Sequence, residues 1–372
     1  MKQRATTTRA AMEGIARAMA LIGLTALVGC GSDLPPITDC RDVNDIHPIC
    51  GMQNPEDLAV LEGDTRLIVS QYADMTAPEG AGNIAVLDLR DESLHIAYPP
   101  TDRAARTTPS QGWGDANCPG PPSPLNPHGI DLAQRSDGRW QLLVVNHAGR
   151  ESIEFLEVLQ DGPQVQVVWR GCVIPPEIAY LNDVVHLPGG GFLTTHMMEF
   201  GSPFVGMIKA MLGMDTGWVY EWHADRGFSQ VPGSEAPFPN GIEISDDGSE
   251  VYLNAYMADE VRRISRTSGE LLATAAVPGP DNVTWSKDGK LLVASHVGET
   301  AEQMACMSLE EGACPMSFEI VALDPDNLEG GAIFANRGPP MGAGTVAVDV
   351  GGELVMGSFA GDRVIRARMP RR

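Results

Sequence analysis

The chain is short of basic residues: 26 Lys and Arg stand against 49 Asp and Glu in 372 residues, a formal net charge of -23. That deficit argues against nucleic acid as a partner, because phosphates demand a basic face. An acidic body can instead concentrate divalent cations. The chain also lacks a Cys-x-x-Cys pair, a G-x-S-x-G elbow, a Walker loop and an H-E-x-x-H helix. Zinc-ribbon, serine-nucleophile, P-loop and zincin chemistry therefore have no sequence support. The Asp-rich turn Ser245–Gly248 does not have EF-hand spacing. Beyond residue 29 no run approaches the ~20 apolar residues that span a bilayer as a helix. Glycine (41) and proline (28) are abundant, which suits many turns and short strands better than long helices. With 43% hydrophobic residues the composition is globular.

Residues 1–29 have the pattern of an export signal: Lys2, Arg4, Arg9 and Arg17, then a twelve-residue apolar run from Ala18 to Gly29. The run ends Leu27-Val28-Gly29-Cys30, which resembles the lipobox of bacterial lipoproteins. On that resemblance 1–29 is cleaved, Cys30 carries the lipid, residues 30–51 are a tether, and the protein is held to a bacterial membrane on its periplasmic or outer face. Losing four basic residues and one acid with the signal takes the net charge from -23 to -26. Six cysteines then remain for an oxidising compartment. Cys40 with Cys50 and Cys306 with Cys314 would close short loops, leaving Cys118 for Cys172, one connectivity among about fifteen.

From residue 52 to 372 the chain repeats itself six times. Each unit has a short polar motif, an apolar stretch, a glycine turn and a second β-rich run. The motifs are NPEDL (54–58), NPHGI (126–130), LNDVV (181–185), PNGIE (239–243), PDNVT (280–284) and AGTVA (343–347). The runs after the turns, such as RLIVSQY, RWQLLVVNH and KLLVASHV, have strand character. Six small sheets repeated in this way predict an all-β fold, a six-bladed β-propeller. A β-sandwich would not repeat a polar motif at one place in every unit.

In a propeller that place is the start of each innermost strand, facing the central channel. The channel would then gather Glu56, Asp57, His128, Asn182, Asp183, Asn240, Asp281, Asn282 and Thr345. One Asn or Asp alone reads equally well as a turn cap. Five motifs in common register favour a cluster of hard oxygen donors, suited to Ca²⁺ or Mg²⁺.

NPHGI, LLVVNH, LND, F-x-NGI-x-IS-x-DG-x-x-VY and DN followed by W-S-K-DG occur here in the order found in the paraoxonases, the serum arylesterase and lactonase family. From about Pro55 to Arg366 the chain resembles that family. NGI-x-S-x-DG alone also occurs in gluconolactonase-like and strictosidine synthase-like propellers. The resemblance implies a channel with two calcium ions. Glu56, Asn182, Asn240, Asp281 and Asn282 would hold the catalytic ion; Asp57, Asp183 and the Ile130 backbone carbonyl would hold the structural one. It also implies that His128 and His147 form a dyad that activates water for hydrolysis of a small-molecule lactone or ester. His296, Phe238 and Thr345 would lie near the substrate, with the role of His296 open.

The chain departs from the family in several places. No cysteine follows Cys314, so the ring must close by strand pairing. The family's acid and histidine that support the dyad after LND align with Met197 and Met198, beside His196. The Pro/Gly-rich stretch from Tyr98 to Pro127 and the Cys306–Cys314 loop read as elaborations, and the Met-rich segment Phe200–Trp218 as a short helix over the channel. Two other readings stand beside this one: a gluconolactonase-like sugar-lactone hydrolase with one metal ion, and a calcium-stabilised propeller that only binds a ligand or partner.

Overall fold

A computed structural model describes residues 35–73, 80–99, 110–162 and 164–370. The export signal and Cys30 lie outside them. The twenty-four named strands form six four-stranded antiparallel sheets. From the inner to the outer strand, the first three blades are β2–β5 (Pro55–Val60, Arg66–Gln71, Asn83–Asp88, Ser93–Tyr98), β6–β9 (Pro127–Gln134, Trp140–Asn146, Ser152–Asp161, Gln164–Val173) and β10–β13 (Leu181–His186, Phe192–His196, Trp218–His223, Gly227–Gln230). The next two are β14–β17 (Pro239–Ile244, Glu250–Ala255, Glu260–Ser265, Leu271–Ala276) and β18–β21 (Pro280–Trp285, Leu291–His296, Phe318–Leu323, Gly330–Asn336). The last comprises β22–β24 (Gly344–Val350, Glu353–Ser358, Arg363–Arg368) with β1 (Ile46–Cys50) as its outer strand. The fold is the six-bladed propeller expected from the repeat.

The glycine turns join the first two strands of each blade, with Gly138 (φ 82) and Gly289 (φ 77) in the left-handed region that a tight reversal needs. Inner strands are buried on both faces, as β22 is throughout, whereas the outer β17 alternates exposed and half-buried. The core is the apolar packing between neighbouring blades. Leu67, Val69 and Leu87 of the first blade, for example, meet Val346, Val355 and Val364 of the last.

Strand pairing closes the ring, but it begins earlier than the sequence suggested. The stretch 30–51, expected as a tether, contains β1, which pairs antiparallel with β24 from Ile46↔Ala367 to Cys50↔Arg363. The wholly buried Arg363 guanidinium donates to the carbonyls of Asp39 (2.6 Å) and Ile37 (2.9 Å), and Ile37 bridges to Ala313. A buried Arg without partners would be costly, so residues 37–50 belong to the propeller. The three disulfides are Cys40–Cys50, Cys118–Cys172 and Cys306–Cys314, the pairing that spacing favoured. Among the described residues two α-helices interrupt the repeat, α1 (Pro203–Met211) and α2 (Thr300–Cys306). Among the described residues no helix is long and apolar enough to cross a membrane.

Candidate functional site

Every inner strand carries the same irregularity. The ladder to its neighbour shifts register at Pro55/Asp57, Pro127/Ile130, Leu181/Val184, Pro239/Ile242, Pro280/Val283 and Gly344/Val346, which is where the six polar motifs sit. A bulge breaks the strict in–out alternation of a strand, so two successive residues can both serve the channel. This accounts for the pairs Glu56–Asp57, Asn182–Asp183 and Asp281–Asn282, all buried. Gly129 and Gly241 occupy the corresponding second positions of their motifs. A Cβ on Gly129 would lie 2.5 Å from Asp183 Oδ1, and one on Gly241 would lie 2.4 Å from the Asp281 carbonyl oxygen. Glycine there lets adjacent blades approach closely.

The residues divide into two groups. Asn282 Nδ2 donates to Glu56 Oε1 (2.9 Å), Asn240 hydrogen-bonds to the Asp281 carboxylate, and Asn182 Nδ2 donates to Met197 Sδ (3.3 Å). These contacts occupy the amide nitrogens. Glu56 Oε2 and the Oδ1 atoms of Asn182, Asn240 and Asn282 are buried and have no hydrogen-bond partner. Each such oxygen costs roughly 1–3 kcal/mol if nothing meets it. Burial, then Asp57 and Asp281, push the Glu56 carboxyl well above its ordinary range. Burial, with Asp57 adding to it, raises Asp281 to about 8 against the hydrogen bond from Asn240. Among the described residues no three His, Cys, Asp or Glu side chains group to hold a metal. This cluster consists of two carboxylates and three carboxamides, a set of oxygens that fits a hard divalent cation.

Asp57 and Asp183 form the second group and are bonded differently. Asp57 accepts N–H bonds from Leu58 (2.8 Å) and Ile130 (2.7 Å), and Asp183 from Val184 (2.7 Å) and Ile242 (2.9 Å). Each of the four oxygens thus has one backbone partner, and the contact made by Ile130 is through its amide N–H. Burial raises Asp57 to about 7 in spite of these bonds, and burial with the charge of Asp57 raises Asp183 well above its usual value. The pair lines a cavity of about 240 Å³ with Asp131 and Glu243.

His128 and His147 meet as expected: His128 Nδ1 lies 2.9 Å from His147 Nε2. Behind them stands a residue that the sequence reading missed. Glu151, in the turn after β7, places Oε1 2.6 Å from His147 Nδ1 and accepts the Leu181 N–H (3.2 Å) through Oε2. A carboxylate only accepts, so His147 carries its proton on Nδ1 and receives the Nδ1–H of His128 at Nε2. His128 Nε2 is left bare, 3.7 Å from Glu56 Oε1. Burial, with His147 adding to it, holds the His128 pKa well below its ordinary value, so the ring rests neutral with Nε2 unprotonated. The supporting acid thus comes from four residues after His147. Met197 instead receives the Asn182 amide, Met198 packs against Gly206 of α1, and His196 packs edge-on against Trp218 while accepting the Tyr180 N–H (3.1 Å).

On the other side of the cluster, His296 Nε2 stands 3.5 Å from Asp281 Oδ2, and its Nδ1 lies 2.9 Å from the Tyr256 hydroxyl. Burial lowers His296 to about 4, outweighing the opposing effect of the Gly344 and Ala343 backbone, so its ring is neutral too. Phe238 lies beside Tyr256 with ring centroids 5.6 Å apart. Thr345 does not offer a free hydroxyl: it donates to the Glu56 carbonyl (2.6 Å) and ties β22 to β2. Helix α1 forms within the Met-rich segment. Its Ala210 packs into the cluster of Met197, Met198, Phe238 and Tyr256, while Phe204, Ile208 and Met211 are exposed.

The model of the family described as Arylesterase matches residues 52–364. Human serum paraoxonase/arylesterase 1 is 28% identical over 210 residues, 55% of this chain and 54% of that protein. The mouse protein of the same name is 29% identical over 140 residues, 37% of this chain and 38% of its own length. The chain thus aligns with about half the length, or less, of these curated relatives. Among solved structures, a gluconolactonase from Xanthomonas campestris superposes with a TM-score of 0.50 at 16% identity, covering 91% of this chain and 95% of the other. A luciferin-regenerating enzyme superposes with a TM-score of 0.50 at 16% identity, covering 86% and 94%. At these identities the structural likeness concerns the fold.

Proposed function

The chain belongs to the arylesterase family, and on that footing we propose that it is a calcium-dependent hydrolase of lactones or aryl esters. The observation that carries this reading is the set of four partnerless buried oxygens next to a histidine nitrogen that the hydrogen bonding leaves free to accept a proton. Glu56, Asn182, Asn240, Asp281 and Asn282 would hold the ion. Bound there, calcium would supply Lewis-acid polarisation of a carbonyl oxygen and stabilise the charge that develops on it.

His128 takes a proton from the attacking water at Nε2. Its Nδ1–H stays bonded to His147, and the Glu151 carboxylate, through the Nδ1–H of His147, keeps that ring oriented and stabilises the positive charge shared by the pair. The proton then passes from His128 to the alkoxide or phenoxide that leaves. No covalent enzyme intermediate is needed.

The reading supposes two ions, with the second at Asp57, Asp183 and Ile130. The sugar-lactone reading has one ion, with Asp57 and Asp183 held by their backbone N–H bonds alone. Stoichiometry in an Asp183→Ala variant separates the two, because loss of a second tightly bound ion requires two sites. The same proposal has Cys30 carry a lipid and hold the propeller to a bacterial membrane. Cys30→Ser would then move the protein from the membrane to the soluble fraction.

The direct test is a panel of lactones and aryl esters, assayed before and after chelation. Hydrolysis that disappears with chelator and returns with Ca²⁺ is the expected result. A folded, calcium-binding chain that turns over no member of the panel would favour the binding propeller.

A further inference from the structure

Resting on that hydrolase reading, we infer that His296 presents Nε2–H to the substrate's carbonyl or leaving-group oxygen as a hydrogen-bond donor, and that Tyr256 and Gln303 are the positioning residues that fix this polarity. Gln303, on α2, donates from Nε2 to the Tyr256 hydroxyl oxygen (2.5 Å). That oxygen is engaged as an acceptor, so its own proton is free to go to His296 Nδ1, 2.9 Å away. An imidazole that accepts at Nδ1 carries its hydrogen on Nε2. His296 Nε2 is buried and makes no hydrogen bond, and the side chain is 4% exposed. The nearest carboxylate oxygen, Asp281 Oδ2, is 3.5 Å away, beyond a well-formed hydrogen bond. Buried donors without partners are rare, and this one faces the cluster where a reacting oxygen would sit.

The polarity is opposite to that of His128. There the chain of bonds ends in a carboxylate and leaves Nε2 bare; here it ends in a carboxamide and leaves Nε2 protonated. One imidazole can take a proton from water while the other donates a hydrogen bond to oxygen. His296 keeps its proton throughout and no bond to it forms or breaks.

The test reverses the second chain. In Gln303→Glu a carboxylate faces Tyr256 and can only accept, so the tyrosine proton turns towards it. The phenolic oxygen then accepts from His296 Nδ1–H, and Nε2 becomes bare. With ¹⁵N-labelled histidine in the full chain, NMR is expected to show His296 as the Nε2–H tautomer in the parent and in Gln303→Leu, and as the Nδ1–H tautomer in Gln303→Glu. The kcat of Gln303→Glu is expected to fall about 10- to 100-fold with little change in KM, as for loss of a donor that acts in the transition state. An Nδ1–H tautomer in the parent, or a Gln303→Glu variant with a reversed tautomer and an unchanged kcat, would overturn the assignment. The tautomers are read without substrate, so a chain that hydrolyses nothing would defeat the hydrolase reading by itself.

Discussion

Two histidines reach the same oxygen cluster from different blades, and what stands behind each one decides what it can do. His128 is backed by His147 and Glu151, His296 by Tyr256 and Gln303. Both rings are buried and neutral, and each has Nε2 within 4 Å of a cluster carboxylate. The difference lies two bonds further out, in an anion on one side and an amide on the other. A chain of hydrogen bonds passes that difference inward and sets where each ring holds its proton. The residue type at the site therefore underdetermines the chemistry; the far end of each chain completes it.

The largest effect should come from removing what the two sides share. Glu56→Gln keeps the shape but takes one charge from the cluster, and hydrolysis is expected to fall by about 10³-fold or more with loss of tight calcium binding, read by activity and calorimetry. Next, His128→Gln breaks one side only: kcat should fall by about 10²- to 10⁴-fold while calcium affinity is kept. Glu151→Gln removes the anion behind the dyad, and a loss in kcat of roughly 10- to 100-fold is expected, with partial recovery in Glu151→Asp.

Stability should also depend on pH in a direction set by the carboxyls. Asp57 and Asp281 are raised in the folded chain to about 7 and about 8, so the folded state binds protons that the unfolded state has released above its ordinary carboxylate pKa near 4. Thermal unfolding of the chelated chain should therefore move to lower temperature as pH rises from about 5 to about 8, and added Ca²⁺ should flatten the trend. The smallest effect is expected from Tyr256→Phe, which deletes the bond to Nδ1 without inverting it; a fall in kcat of only a few-fold would set it apart from Gln303→Glu.

Much of this arrangement was legible in the sequence because it is repeated. Six motifs, each a short way ahead of a turn glycine, located the inner strands, and the bulges occur at those motifs. What appears once was harder to see. The strand IHPIC has no sibling in the chain, and only its pairing with β24 reveals that it closes the ring. Glu151 was within reach, since it follows His147 by four residues in HAGRE. The family pattern placed the support at Met197 and Met198, whereas the acid beside His147 is Glu151. Tyr256 and Gln303 come from a tight turn and a short helix that belong to no repeat, so nothing in the local pattern joined them to His296.

The central claim is that the partnerless oxygens form a calcium site on which hydrolysis depends. Equilibrium dialysis with Ca²⁺ on the parent and Glu56→Gln chains, with ester hydrolysis assayed on the same samples, tests it most directly. The account predicts one fewer tightly bound ion in the variant and the loss of turnover with it. Equal stoichiometry in the two chains, or full hydrolysis by a calcium-free parent, would contradict it.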